Sequence, residues 1–241
     1  MYINILRFTM CLKSVDKIYS NRGNLKIVEF VKENHKKILD VGCGTGGNAQ
    51  LIKKKFPHAV IDGITISKRE SGECLKHMRN LYIIDINTEW PGFTDCKYDL
   101  ILFSHILEHT VSPKDIIGRF SGLLSECGQI LIAVPNFMNW KTRFELLKGR
   151  FRYTDEGIFD FTHLRFFTFY TVKELLVDER FKTDKFYSDG HFPLGILRKR
   201  IFRKRLCSFI DAAFLKFFPN IFASQFILLL SLKPYNKKEK N

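Results

Sequence analysis

A short segment of this sequence joins an acidic residue to a dense group of glycines. Asp40 lies at the end of an apolar run, and Gly42, Gly44, Gly46 and Gly47 follow it closely. A helix is predicted directly after them. Glycine permits a sharp turn and lets a ligand approach bare backbone. A strand, a glycine turn and a helix in this order form the opening of a nucleotide-binding βαβ unit.

Two binding patterns share this turn. Gly42, Gly44 and Gly47 satisfy G-x-G-x-x-G, the pyrophosphate-binding pattern of nicotinamide and flavin enzymes. Taking Gly46 instead of Gly47, and adding Asp40, gives an acid-x-G-x-G-x-G pattern. A carboxylate this close to a pyrophosphate would repel it, whereas it would attract a cationic amine. The second pattern is therefore favoured. An NAD(P)-dependent oxidoreductase and a tight turn without a ligand are the alternatives.

The favoured pattern resembles the first motif of class I S-adenosylmethionine (SAM)-dependent methyltransferases, in which the turn holds the methionine part of SAM. The resemblance implies SAM as the cofactor. It also implies that the turn contacts SAM through the following residues: Asp40, Gly42, Cys43, Gly44 and Gly46.

The predicted second strand, residues 59–65, is expected to end at the ribose contact of the cofactor. The segment G-I-T-I-S at its end resembles the methyltransferase segment that carries a ribose-binding acid, but Thr65 stands where the acid is usual. A related group, the cyclopropane-synthase-like methyltransferases, uses a polar residue five positions later, which here is Glu70. The ribose contact is therefore expected at Thr65 or Glu70. Asp62 would lie inside the strand, away from the ribose.

Two further strand ends complete the expected cofactor pocket. Asp85 and Ile86, at the end of the predicted third strand, resemble the family's adenine-binding motif. A carboxylate there can accept a hydrogen bond from the adenine amine, and the isoleucine offers an apolar face. Ser104, at the end of the predicted fourth strand (residues 99–104), is expected at the same carboxyl edge of the sheet.

A His–Glu–His group follows the fourth strand. His105, Glu108 and His109 match H-x-x-E-H, an inverted zinc-protease signature. That interpretation is disfavoured because the segment leaves a strand that should be buried and no third-ligand motif follows; we expect no metal site. The segment instead resembles the "xLEHv" ending of the fourth-strand region in SAM methyltransferases. His105 is a catalytic candidate and His109 a substrate-binding one, with a satisfied structural histidine as the alternative.

Residues 137–170 are rich in aromatic and polar side chains and form an insertion, the natural substrate lid in this architecture. The run GRFRYTDEGIFDFTHLRFFT within it resembles a segment of methyltransferases similar to the methionine-biosynthesis W type and of those acting in bacterial glycan assembly. Candidates for substrate binding are Tyr153, Asp160 and Arg165. His163 is the second catalytic candidate, and a hydrogen-bonded lid scaffold is the alternative.

The resemblance implies an α/β fold: a doubly wound, Rossmann-like, seven-stranded sheet, parallel except for its last strand, with helices on both faces. A single domain over residues 1–241 is expected, with a core at about 25–136 and 171–232. The remaining elements are predicted as helices at 24–34, 67–78, 112–125 and 171–179 and as strands at 129–136, 181–188 and 223–232. Gly128 is expected to end the third of these helices.

The composition favours an anionic partner, because 39 basic residues against 25 acidic ones give a net charge of +14. Residues 197–218 predict a basic amphipathic helix that either lies at an anionic membrane surface or packs on the sheet. No run of apolar residues is long enough to span a bilayer. Six scattered cysteines without a C-x-x-C pair predict free thiols in a reducing cytoplasm.

The sequence therefore predicts a cytoplasmic SAM-dependent methyltransferase, with possible peripheral attachment to the inner face of the membrane. The expected methyl acceptor is a small molecule, a sugar or glycan, or a lipid-linked intermediate; nucleic acid is disfavoured. Besides the NAD(P)-dependent oxidoreductase, a non-catalytic accessory protein on the same fold is the third hypothesis.

Overall fold

The computed structural model describes residues 22–92, 96–193 and 204–234. Within them the chain forms a seven-stranded sheet in the order β3-β2-β1-β4-β5-β7-β6. The strands are β1 (Lys37–Val41), β2 (Val60–Thr65), β3 (Asn80–Ile83), β4 (Tyr98–Ser104), β5 (Leu124–Pro135), β6 (Phe181–Gly190) and β7 (Ala223–Leu232). Strands β1 to β5 run parallel, and β7 lies antiparallel between β5 and β6. The predicted fold class and the reversed last strand are confirmed.

The sheet is covered on both faces, as the apolar run of each central strand requires. Successive residues of a strand point to opposite faces. Leu39 and Val41 accordingly belong to one buried cluster, and Ile38 belongs to the other. The same alternation in β4 and β5 joins the strands into two cores, one above and one below the sheet.

The described helices are α1 (Leu25–Val28), α2 (Gly47–Lys55), α3 (Ser71–Cys74), α4 (Pro113–Phe120), α5 (Trp140–Leu147), α6 (Val172–Leu176), α7 (Lys204–Phe217) and α8 (Pro219–Phe222). Several are shorter than the sequence predicted. The helices expected over 24–34, 112–125 and 171–179 end at Val28, Phe120 and Leu176. In place of the helix over 67–78, a 3-10 turn (Lys68–Glu70) precedes the single turn of α3.

Gly128 lies inside β5 and does not end a helix, so that prediction was wrong. A Cβ atom at Gly128 would lie 2.7 Å from the backbone oxygen of Tyr98 on the neighbouring strand. Glycine is therefore needed there for the close approach of two strands. The third strand also ends earlier than expected, at Ile83, which leaves Asp85 and Ile86 in the turn that follows.

The lid (residues 137–170) contains α5 and otherwise irregular chain. Its anchor is Phe137, the second residue after β5, whose ring contacts Phe151, Phe159 and Phe166 at centroid distances of 4.5 to 6.4 Å. An isolated bridge pairs Asn136 with Phe167 and returns the chain to the sheet. The aromatic residues that the sequence places in this segment thus fix the lid to the end of β5.

Of the predicted basic helix, residues 197–203 lie outside the described part of the chain, and α7 covers residues 204–217. Phe214 of α7 stacks on Phe192 at 3.9 Å, so one face of the helix is packed. Phe209 and Phe217 remain 73% and 70% exposed. Among the described helices, none has both the length and the apolar character needed to cross a bilayer. The cysteines in the described ranges are free thiols, and Cys11 lies outside these ranges.

Candidate functional site

The glycine turn between β1 and α2 has the backbone conformation that its composition predicts. Gly42, Gly44 and Gly46 have φ values of +74°, +54° and +83°, which residues with a Cβ rarely adopt. The N–H groups of Gly42 and Cys43 both donate to the Ile64 oxygen at 2.9 Å, so they serve the sheet. Gly46 is the N-cap of α2 and has no side chain that could accept a hydrogen bond from the helix. The N–H groups of the first helical turn are therefore the donors that face the glycine turn.

Asp40 is fully buried beside this turn. Neither of its carboxylate oxygens accepts a hydrogen bond of ordinary geometry from the described residues, although the Asn48 side chain interacts with the carboxylate. Burial raises the pKa of Asp40 to about 7, and the interaction with Asn48 partly opposes this rise. A buried carboxylate without a cationic partner is costly. The site therefore fits a ligand that brings a cationic group to this position.

Thr65 and Glu70, the two alternatives for the ribose contact, form one hydrogen-bonded unit. Both are buried at the end of β2, and the Thr65 hydroxyl donates to Glu70 Oε2. The Ser67 N–H donates to Thr65 Oγ1 at 3.2 Å, which closes the turn around them. This contact draws Glu70 inward and explains why a tight 3-10 turn replaces the start of the predicted helix.

Asp62 lies inside β2, as the sequence predicts, and its carboxylate is satisfied there. It accepts hydrogen bonds from Arg79, from Asn80 Nδ2 at 3.0 Å and from the Tyr98 hydroxyl at 2.9 Å. A ribose has no place among these donors. The spacing between the glycine turn and Asp62, which suits a dinucleotide, therefore does not describe a ligand contact.

The remaining cofactor candidates lie at the carboxyl edge of the sheet. Asp85, just after β3, accepts from the N–H and the side-chain amide of Asn87 at 2.9 and 3.2 Å. Ile86 beside it is buried, and Ser104 is the half-buried last residue of β4. Because β3, β2, β1 and β4 are consecutive in the parallel part of the sheet, their carboxyl ends bring these residues to the same edge as Asp40.

His105 has a strained backbone at the end of β4. Its φ of +54° is unusual for a residue with a side chain, and its N–H donates to the Ala133 oxygen at 2.9 Å. Its ring nitrogens lie 3.3 Å from Glu108 Oε1 and 3.0 Å from Gln225 Oε1. The Gln225 amide nitrogen donates to Asp189 at 2.7 Å, which fixes its oxygen toward His105.

Both partners of the His105 ring offer acceptor oxygens, and each engages one ring nitrogen. Burial lowers the pKa of His105, but Glu108 and Gln225 raise it by more, so it lies above its usual value. Burial in turn raises the pKa of Glu108, and His105 lowers it by more. Because both ring nitrogens are engaged by protein groups, this arrangement argues against His105 as a general base.

The lid packs its own polar residues against the segment after β4. The N–H groups of Leu164 and Arg165 donate to the backbone oxygen of Glu108 at 2.8 and 3.0 Å. The His163 ring stands edge-on to that of His109, with centroids 4.7 Å apart. The structure therefore brings together His109 and His163, which are separate in the sequence.

Hydrogen bonds orient both histidines of this contact. Thr162 Oγ1 lies 2.8 Å from His109 Nδ1 and donates to Asp160 Oδ1 at 2.7 Å. His163 Nδ1 lies 3.2 Å from the Ile158 oxygen. Burial lowers the pKa of His109. Asp160 thus acts through Thr162 on His109, a role that its place in the lid segment did not reveal.

The other two lid candidates have scaffold contacts. Tyr153 is largely exposed, with its ring 5.4 Å from that of Phe151. Arg165 donates from its guanidinium to the Val111 oxygen and to the Leu164 oxygen. The contacts of Arg165 match the alternative given above, in which the lid residues form a hydrogen-bonded scaffold.

A cleft of about 380 Å³ opens within the lid, between α5 and the chain that follows it. It is lined by Glu145, Arg150, Arg152, Thr154 and Phe159. Phe159 contacts Phe137 at 5.9 Å, so the cleft adjoins the carboxyl end of β5. The sequence analysis did not select its arginines or Gln225. A lone amide near the start of the otherwise apolar β7 was the available signal for Gln225.

Comparison with solved structures shows the same fold. A SAM-dependent methyltransferase from Archaeoglobus fulgidus is 18% identical, with a TM-score of 0.56, over 82% of this chain and 86% of that one. The plantazolicin methyltransferase BpumL, solved with SAH and a monoazolic desmethylPZN analogue, is 20% identical, with a TM-score of 0.52, over 82% of this chain and 76% of that one.

Two curated relatives match part of the chain. The malonyl-[acyl-carrier protein] O-methyltransferase 1 of Ilyobacter polytropus is 35% identical over 128 residues, 50% of this chain and 46% of that protein. The probable (S)-tetrahydroprotoberberine N-methyltransferase 2 of Papaver bracteatum is 25% identical over 114 residues, 46% of this chain and 30% of that protein. The chain thus spans less than half the length of these relatives.

The family model of the methionine biosynthesis protein MetW matches residues 22–193, which include the glycine turn, the His–Glu–His segment and the lid. With this match over more than half of its length and the fold of class I SAM-dependent methyltransferases, the chain belongs to the MetW family.

Proposed function

We propose that this protein is a SAM-dependent methyltransferase whose acceptor is a small molecule, a glycan or a lipid-linked intermediate. The observation that carries the proposal is the fully buried Asp40 carboxylate at the glycine turn, which has no hydrogen bond of ordinary geometry among the described residues. SAM has an α-ammonium group that can pair with it. The family, the fold and the methyltransferase relatives support the same cofactor.

The residues at the carboxyl edge of the sheet fit such a cofactor. Asp40 would hold the ammonium group, and the backbone of the turn, including Gly42, Cys43, Gly44 and Gly46, would contact the methionine part. The Thr65–Glu70 unit would meet the ribose hydroxyls, with Asp85 and Ile86 at the adenine and Ser104 beside them. When bound, SAM supplies an activated methyl group on a sulfonium, which is a good leaving group.

The chain's own contribution would be to align the acceptor and take up its proton. Alignment alone can supply several kcal/mol. A base adds about a hundredfold or more when the acceptor is a hydroxyl. We assign the proton acceptor to His163, since its Nδ1 faces the Ile158 oxygen and its Nε2 carries the lone pair. His105, which contacts Glu108 at 3.3 Å, would position that carboxylate.

The acceptor is proposed to carry an anionic group. The cleft beside the carboxyl end of β5 has two guanidinium groups, those of Arg150 and Arg152, and one carboxylate, that of Glu145. Glu145 lies 3.8 Å from Arg150, so part of this charge is already balanced. The remaining positive charge favours a phosphate or carboxylate on the acceptor.

Equilibrium binding separates this proposal from an oxidoreductase. The purified chain is titrated with SAM and, separately, with NAD and NADP. We expect SAM to bind and the dinucleotides not to compete with it, because Asp40 opposes a pyrophosphate. Binding of NAD or NADP without binding of SAM would overturn the proposal.

A turnover assay separates an enzyme from an accessory protein. The chain is incubated with methyl-labelled SAM and fractionated metabolite and lipid extracts, and label in new products is counted. Transfer to at least one fraction is expected. SAM binding without any transfer, together with co-purification of an acyltransferase, would favour the accessory role.

A further inference from the structure

We propose that Glu108, His109 and His163 bind one divalent transition-metal ion and leave a coordination position open. One ligand atom from each of the three side chains lies within 4.8 Å of the other two. Two of these residues come from the turn after β4 (Leu107–His109), and the third comes from the lid. The site therefore forms only where the lid meets the carboxyl edge of the sheet.

The hydrogen bonds around the two imidazoles suit metal binding. The Thr162 hydroxyl gives its proton to Asp160, so it must accept the proton of His109 Nδ1. The Ile158 oxygen can only accept, so His163 Nδ1 also carries its proton. In these tautomers Nε2 of each ring would be the ligand atom. Metal-binding histidines almost always donate their other N–H to a protein oxygen in this way.

A second observation at Glu108 points independently to a cation. The side chain is 1% exposed, and Oε1 lies 3.3 Å from His105. Oε2 is buried and has no hydrogen-bond partner among the described residues. A buried carboxylate oxygen without a partner is costly, and a metal ion within reach would satisfy it.

The donor set selects the kind of ion. Two imidazoles and one carboxylate suit Zn²⁺ and similar transition metals, whereas Mg²⁺ and Ca²⁺ prefer oxygen ligands. Bonds of about 2.1 Å in a tetrahedron place ligand atoms about 3.4 Å apart. The ligand atoms lie within 4.8 Å of one another without an ion, so binding would draw the three side chains closer together. His109 and His163 are only partly buried, so an ion can reach them from solvent.

This arrangement differs from the zinc-protease pattern H-x-x-E-H. In that pattern the two histidines would be His105 and His109, but His105 points to Glu108 and Gln225 and is not part of the metal group. The sequence shows no third-ligand motif after His109, because the third ligand lies in the lid and is brought close only by the fold.

The use of the ion rests on the proposed function. Three protein ligands and an open position are typical of a catalytic metal site. There the ion would polarise an acceptor oxygen and lower the pKa of an acceptor hydroxyl. With the ion bound, His163 is a ligand, and the ion takes over the activation of the acceptor that His163 would otherwise provide.

Metal content tests the proposal without any assay of activity. The tag-free chain is prepared in a Cys127→Ser background, because Cys127 is an exposed free thiol. It is stripped with a chelator and titrated with Zn²⁺ or with Co²⁺, whose absorption reports imidazole and oxygen ligands. We expect one ion per chain. His163→Ala and His109→Gln should abolish this binding, and Thr162→Val should weaken it by about 10- to 100-fold.

His58→Ala is the matched control, since it removes an exposed histidine outside the cluster and should leave the ion count unchanged. SAM binding by each variant checks the fold. The proposal is overturned if the parent chain takes up no ion, or if His163→Ala and Thr162→Val both bind it as the parent does. Metal uptake without SAM binding would instead contradict the proposed methyltransferase and leave the metal site standing.

Discussion

Asp40 is the residue whose environment points most directly to a bound ligand. Folding removes its carboxylate from water, which favours the neutral form and gives a pKa of about 7 instead of 3.8. A bound ammonium group would restore the charged form. The residue is thus costly to the cofactor-free protein and useful to the complex, a compromise common at functional sites.

This cost predicts a pH effect on folding. Because the pKa of Asp40 is higher in the folded state, the contribution of Asp40 to stability is greatest below about pH 4 and falls as the pH rises to about 7, by up to about 4 kcal/mol. Asp40→Asn removes this titration. Urea unfolding of the cofactor-free protein at about pH 5 and about pH 8 should show a smaller loss of stability in Asp40→Asn than in the parent.

Glu33→Gln, which changes an exposed acid, is the control and should follow the parent's pH profile. Parallel profiles for the parent and Asp40→Asn would contradict the environment described for Asp40.

His105 shows what residue-level patterns in the sequence do not reveal. Its positive φ and its contacts with Glu108 and Gln225 depend on β7, which is distant in the chain. The sequence selected it as a catalytic candidate because of its place after β4. Which nitrogens are free depends on partners that only the tertiary structure brings together.

At the scale of elements, a substitution in the turn between β1 and α2 tests whether the turn requires glycine. A Cβ atom at Gly42 would lie 2.6 Å from Ile106 Cγ1, and the φ of +74° adds strain. Gly42→Ala should therefore lower the free energy of unfolding by at least about 1 kcal/mol. Gly72→Ala is the control, because nothing lies within 4 Å of its Cβ position.

Chemical denaturation of both glycine variants measures the difference. Gly72→Ala should match or exceed the parent's stability, since alanine has a higher helix propensity than glycine. Equal stability of the two variants would show that Ile106 can move aside and that the turn tolerates a side chain.

The two arginines that line the cleft in the lid predict which acceptors the protein prefers. Replacing Arg150 and Arg152 together by Gln should leave SAM binding unchanged, because neither residue belongs to the proposed cofactor contacts. Methyl transfer to acidic fractions of an extract should fall at least tenfold, which corresponds to the loss of one charge-assisted hydrogen bond. Lys54→Gln, an exposed change on α2, should alter neither quantity. Undiminished transfer by the double variant would place the acceptor elsewhere.

Much of the element-level structure could be predicted from the sequence. The apolar runs fix β7 to the residue, and β2 and β4 to within one residue. Helix lengths were overestimated, because helical spacing of apolar residues continues through turns that pack on the core. Gly128 was misassigned because a glycine needed for a close strand contact looks in the sequence like one that ends a helix.

For the site, the sequence predicted the segments but not the contacts between them. The glycine turn, the strand ends and the lid were identified as segments, since their residue types are distinctive. The joining of Thr65 to Glu70, and of the lid histidine to His109, could not be predicted. These contacts depend on chain paths that no local pattern specifies.

At the scale of the whole molecule, α7 carries exposed aromatic residues and follows a basic run in the sequence. We propose that this helix attaches the protein to an anionic membrane surface. The net charge of +14 and the exposed rings of Phe209 and Phe217 support this. Changing Arg203, Lys204 and Arg205 to Ser should weaken binding to phosphatidylserine vesicles by about fivefold per residue.

Sedimentation with vesicles measures this effect. Leu25→Ser, which changes an exposed apolar residue on α1, is the control and should leave attachment unchanged. No attachment of the parent chain, or equal attachment of the triple variant, would contradict the proposal. The single domain predicted over residues 1–241 stays a prediction.

Calorimetric titration of SAM into the parent chain and into Asp40→Ala tests the central claim most directly. We expect the parent to bind SAM. The variant, once circular dichroism has shown that it is folded, should bind SAM about 10- to 100-fold more weakly, as loss of a charge-assisted hydrogen bond implies. Equal SAM affinity in the two proteins would contradict the assignment of the buried carboxylate to the cofactor.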